Sequence, residues 1–89
     1  MELALPRTLE EQVFARLDRQ TVGEGAESWV TSVIGVYVES SFVWVQVGRS
    51  DRPSDTVIVR MRANTPAVDV LGRLACAPQE AGVPLVVAI

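Results

Sequence analysis

Histidine and lysine are both absent from this chain, so whatever chemistry it performs falls to eleven carboxylates, eight arginines and the single thiol of Cys76. Without histidine there is no Ser-His-Asp or Cys-His relay and no common zinc set; without lysine there is no Schiff base and no phosphate-binding P-loop. Six of the carboxylates fall in three close pairs, Glu10/Glu11, Glu24/Glu27 and Asp51/Asp55, the spacing that acid–base or hard-cation chemistry would use. Each pair has a simpler role. Glu10 and Glu11 complement a helix N-terminus, Glu24 and Glu27 lie in a polar loop, and Asp51 and Asp55 form turns. Asp51, Ser54 and Asp55 together offer few oxygens for a cation. Cys76 falls late in a predicted helix between Ala75 and Ala77, with no base nearby, and is expected to be a buried structural thiol. Gly23-Glu24-Gly25 is only a partial match to an anion-binding loop, because a strand rather than a helix follows it. No catalytic residue, metal ligand or cofactor site is assigned, and the chain reads as non-enzymatic.

The remaining candidate is a surface. Strand side chains alternate with a period of two, so in a hairpin formed by Trp29–Glu39 and Ser41–Gly48 four of the five aromatic residues, Trp29, Tyr37, Phe42 and Trp44, share one side. Thr31, Val33, Gly35, Glu39 and Gln46 accompany them. The other side is aliphatic: Val30, Ile34, Val36 and Val38 face Val43, Val45 and Val47, and read as core. A turn at Ser40-Ser41 sets Glu39 opposite Phe42, Tyr37 opposite Trp44, Gly35 opposite Gln46 and Ile34 opposite Val47. In the next strand, Thr56–Arg62, the core face takes Val57, Val59 and Met61, which leaves Ile58, Arg60 and Arg62 on the aromatic side. Pairing Val45 with Val59 places Trp44 beside Arg60 and Phe42 beside Arg62, in cation–π reach. Trp29, Tyr37, Phe42, Trp44, Ile58, Arg60 and Arg62 thus form the predicted interface or ligand-binding site.

The elements that must position this surface follow from start and stop signals. Thr8 and Glu11 form a capping box ahead of a helix over Leu9–Arg19, with Leu9, Val13 and Leu17 as its apolar stripe and Phe14 beside it. Thr21–Glu27 reads as a flexible loop, and Gly48–Asp55 as a turn-rich one. Thr65 as N-cap and Pro66 at the first helical position open a second helix through Cys76, packing Val68, Leu71, Leu74 and Ala75 inward, with Gly72 marking a close approach to the sheet. Leu85–Ile89 is a terminal apolar strand. The expected fold is a single α+β domain over residues 1–89, a two-layer sandwich of order α-β-β-β-α-β. Its four-stranded, mainly antiparallel sheet has order 4-1-2-3, with both helices on one face. That element order resembles the minimal core of one class of metal-dependent nucleases. Such a core requires an acid on the second strand and an acid-x-lysine element on the third, and Phe42–Val47 and Thr56–Arg62 supply neither.

At 89 residues the chain is near the size at which one core is marginal and self-association helps. A bare aromatic face and an unblunted apolar strand edge at Leu85–Ile89 both point to a homodimer, by face packing, edge pairing or both. The N-terminal segment, through Leu3 and Leu5, is an alternative cover for that face. The runner-up reading is a small-ligand or single-stranded nucleic-acid platform using the same rings and arginines. A net charge of −3 and a pI near 4.8 count against nucleic acid as a partner. No apolar run approaches a membrane helix and no export signal is evident, so a cytoplasmic protein is expected.

Overall fold

Helix α1 (Leu9–Leu17) begins at Thr8, whose Oγ1 accepts a hydrogen bond from the Glu11 N–H at 3.2 Å, and buries Val13 and Leu17. It stops short of the expected Arg19. Asp18 is extended, Arg19 takes a left-handed φ of 59°, and the chain turns into β1 (Thr21–Val22). The cause lies in β2 (Trp29–Glu39). Thr31 exchanges backbone hydrogen bonds with Arg19 and Gln20, its hydroxyl donates to the Leu17 carbonyl, and its Oγ1 accepts from the Gln20 N–H. Asp18 Oδ1 accepts from the Val33 N–H at 3.0 Å. The strand captures the backbone that would otherwise extend the helix.

The computed structural model describes residues 8–78 and 82–89, so Leu3 and Leu5 lie outside the described residues. Beyond β2 the elements run β3 (Phe42–Arg49), β4 (Thr56–Arg62), α2 (Ala67–Cys76) and β5 (Leu85–Ala88). They build a five-stranded mixed sheet of order β1-β2-β3-β4-β5, curled into a half-barrel. This corrects the expected four-stranded sheet of order 4-1-2-3 with both helices on one face. Two residues of the expected loop, Thr21 and Val22, pair antiparallel with Val30 and Trp29 and occupy that edge of β2. The terminal strand instead lies beside β4, parallel to it, with Val57 opposite Leu85 and Val59 opposite Val87. α1 packs along β2, while α2 reaches the far strand β1. The fold remains α+β.

The β2–β3 register matches expectation from the turn as far as Gly35: Glu39 pairs with Phe42, Tyr37 with Trp44, Val36 with Val45 and Gly35 with Gln46. A β-bulge between Val33 and Gly35 then shifts it, and Val33, not Ile34, opposes Val47. The extra residue puts Ile34 and Gly35 both outward and reverses the phase upstream. Val30 and Ile34 are therefore exposed, while Trp29, Thr31 and Val33 are buried. The β3–β4 register is as expected throughout, including Val45 with Val59, Trp44 with Arg60 and Phe42 with Arg62.

One contiguous core joins Val13 and Leu17 of α1, Val43, Val45 and Val47, Val57, Val59 and Met61, Val87, and Val70 and Leu74 of α2. In α2 the inward stripe is Ala67, Val70, Leu71 and Leu74; Val68 is 73% exposed and Ala75 is exposed. Pro66 rather than Thr65 occupies the cap, since its ψ of 143° holds it outside the helix. A Cβ on Gly72 would meet nothing within 4 Å, so Gly72 marks no close approach.

Candidate functional site

Outward residues of β2, β3 and β4 are arranged in rows across the sheet, because directly paired residues share a face. Glu39, Phe42 and Arg62 form one row; Tyr37, Trp44 and Arg60 the next; Gly35, Gln46 and Ile58 the third. β5 extends the last two with Ala88 and Val86. Tyr37 is 64% exposed and Val86 57%, while Phe42, Trp44, Ile58 and Arg60 are half-buried by one another. An open trough of about 520 Å³ runs over this face, lined by Gly35, Val36, Tyr37, Glu39, Trp44, Gln46 and Ile58. Gly35 forms its floor, with open space where a Cβ would stand.

Two arginines lie over the rings. The Arg60 guanidinium carbon is 4.7 Å from the Phe42 ring centroid and 5.9 Å from that of Trp44, and Arg62 is 5.5 Å from Phe42. Arg60 Nε is screened from solvent with no hydrogen-bond partner among the described residues. The ion pairs among those residues are Arg19–Asp18 and Arg49–Asp51, so they neutralise none of Arg60, Arg62 and Glu39. No protein-family model, curated protein or solved structure matches this chain.

Six of the seven expected site residues, Tyr37, Phe42, Trp44, Ile58, Arg60 and Arg62, share this outer face. Trp29 does not. The bulge turns it inward, where it is 6% exposed and stacks on Arg49 at 4.5 Å. Arg49 continues the inward phase of Val43, Val45 and Val47, so it enters the interior rather than the loop. Its Nε and Nη2 donate to Asp51 Oδ1 and Oδ2 at 2.9 and 2.7 Å. This two-pronged pairing holds the Asp51 carboxyl below its usual range, hydrogen bonding to Arg49 being the main cause. Asp51 is thereby committed to a guanidinium, which weakens the cation reading of Asp51, Ser54 and Asp55.

Other expected features also move. Cys76 is exposed rather than buried. Among the described residues no group of three or more histidine, cysteine or acidic side chains is placed to hold a metal ion. Gly23 and Gly25 adopt positive φ but lead into a short 3-10 turn, Gly25–Glu27, and then β2. Among the described residues no helix is long and apolar enough to cross a membrane. Ile34 and Val86 join the outer face, where strand alternation alone does not place them; mid-strand Gly35 is the signal that could have exposed the bulge and Ile34 with it.

Proposed function

We propose that this chain is a non-enzymatic interaction module that forms a homodimer by packing the outer face of β2, β3 and β4 against a second copy. The observation that carries the reading is the cluster of half-buried and exposed rings, Tyr37, Phe42 and Trp44, lying with Ile58 beside two arginines that no carboxylate among the described residues neutralises. A contiguous apolar patch rimmed by charge is the usual form of a protein interface, and Trp, Tyr and Arg dominate binding energy there. Edge pairing through β5 has less support. The Ile89 N–H bonds to the Arg60 carbonyl of β4, so by alternation the Ala88 carbonyl points to the free side, where Arg73 Nη2 donates to it at 3.2 Å. A charged side chain there blunts the edge. With its lone thiol and acidic balance, the module suits the cytoplasm.

Size-exclusion chromatography with light scattering tests this. The wild type is expected as a dimer and Trp44→Glu as a monomer with unchanged far-UV circular dichroism. A dimer indifferent to Trp44→Glu would remove the face from consideration, and a monomeric wild type would remove self-association. A second reading uses the trough as a platform for a small ligand or single-stranded nucleic acid, favoured by the unpartnered Arg60 Nε beside stacked rings. Tryptophan fluorescence titrated with oligonucleotides and a small-molecule panel detects it, and a flat response eliminates it.

A further inference from the structure

Charge on the outer face is divided by strand. β2 carries the acid, Glu39, and β4 carries both arginines, Arg60 and Arg62, with β3 between them bearing Phe42, Trp44 and Gln46. Two sheets packed face to face by a two-fold axis have only a few distinct registers, and the charges discriminate between them. An axis crossing the strands lays each strand over its own copy, which gathers four arginines along β4. An axis running along β3 keeps each row level and exchanges β2 with β4.

We infer that the homodimer's two-fold axis runs along β3, so that β2 of one protomer lies over β4 of its partner. This rests on the face-packing reading given above and adds a register to it. Row by row the surfaces then complement each other. Glu39 meets Arg62 of the partner subunit, and the exchange repeats on the other side of the axis. Tyr37, exposed on β2, meets the Arg60 guanidinium that already lies on Phe42 and Trp44. Ile58 projects over Gly35, where a missing Cβ leaves open space. Trp44 and Gln46 lie on the axis against their own copies. Aligned sheet packing, with its crossing of about 30° and spacing of about 10 Å, accommodates this arrangement. Like charges facing each other across such a contact are costly, which makes the axis crossing the strands the poorer solution.

A charge-swap pair tests the register. Glu39 and Arg62 are both exposed, so Glu39→Arg and Arg62→Glu are expected to leave the fold intact by circular dichroism. Alone, each places two like-charge pairs in its own dimer, and its dissociation constant rises roughly tenfold or more. Mixed in equal amounts, the two variants set an acid against an arginine at both contacts between positions 39 and 62, and a heterodimer forms with wild-type affinity. A second probe uses a Cys76→Ser background. Gln46→Cys, on the axis, is expected to form a disulfide-linked dimer under mild oxidation, and Val86→Cys, two strands away, is not. If the wild type is dimeric and sensitive to Trp44→Glu, but the variants fail to rescue each other or only Val86→Cys cross-links, the register is overturned while face packing stands. A monomeric wild type overturns both.

Discussion

Each of the two tryptophans is paired with an arginine, and the pairs have opposite fates. Trp29 and Arg49 are sealed inside at one end of the sheet, 4.5 Å apart, with the guanidinium clamped by Asp51. Trp44 and Arg60 lie 5.9 Å apart on the outer face, and no carboxylate among the described residues pairs with Arg60. A buried cation requires a counter-charge of its own, because desolvating it unpaired costs several kcal/mol. An arginine half-covered by rings and still partly exposed carries no such requirement, because it is only partly desolvated. The comparison separates a buried, acid-paired tryptophan–arginine pair from a half-exposed one of the same composition, the one assigned above to the proposed interface.

Truncation should split the pairs most widely. Trp29→Ala is expected to cost about 3–5 kcal/mol in urea unfolding, whereas Trp44→Ala costs the monomer about 1–2 kcal/mol and acts chiefly on the concentration dependence of assembly. Equal losses would erase the distinction. Next is Thr31→Val, which keeps shape but leaves the Leu17 carbonyl and Gln20 N–H without their hydroxyl partner; a loss of about 1–3 kcal/mol is expected, with no change in the dimer constant. Ser40, at the hairpin tip, has a φ of 51°, so Ser40→Val should cost about 1 kcal/mol through a left-handed β-branched residue and loosen the outer face first. Hydrogen exchange localised to Tyr37–Trp44 would show it.

The smallest effect is linked to pH. Because the folded Asp51 pKa is depressed, its ion pair stabilises the fold above the unfolded carboxyl value of about 3.9 and is lost as pH falls through the folded value. Asp51→Asn should therefore be less stable than wild type at pH 7, and the gap should close below about pH 4. A gap that widened in acid would mean Arg49 draws no support from Asp51.

Local pairing is legible in the residues. The Thr8 cap, the Ser40-Ser41 turn and the valine phase of β3 and β4 place Phe42, Trp44, Arg60 and Arg62 together without knowledge of the rest. The bulge is not, since alternation extrapolated from Glu39 runs smoothly through Ile34 and assigns Trp29, Thr31 and Val33 to the wrong side. Only Gly35, a residue that weakens strand interiors, interrupts that pattern. Two-residue β1 has no periodicity to read, and without it the edge of β2 looks available to the last strand. Arg49 reads as loop because a lone arginine after a glycine resembles the end of a strand; its burial depends on Asp51 and Trp29 meeting in three dimensions.

One inserted residue in β2 gives the two halves of that strand separate tasks. Upstream, odd-numbered side chains close the interior; downstream, odd-numbered side chains line the outer face. Under the proposed assembly, substitutions that tune folding and substitutions that tune association fall on different stretches of the same strand, and either property is expected to drift or be engineered with little effect on the other. Deleting Ile34 would remove the bulge yet leave an odd number of steps between Trp29 and Tyr37, so plain alternation would still hold the indole inside and the phenol outside. Keeping Ile34 in an unbulged strand would instead force both onto one side.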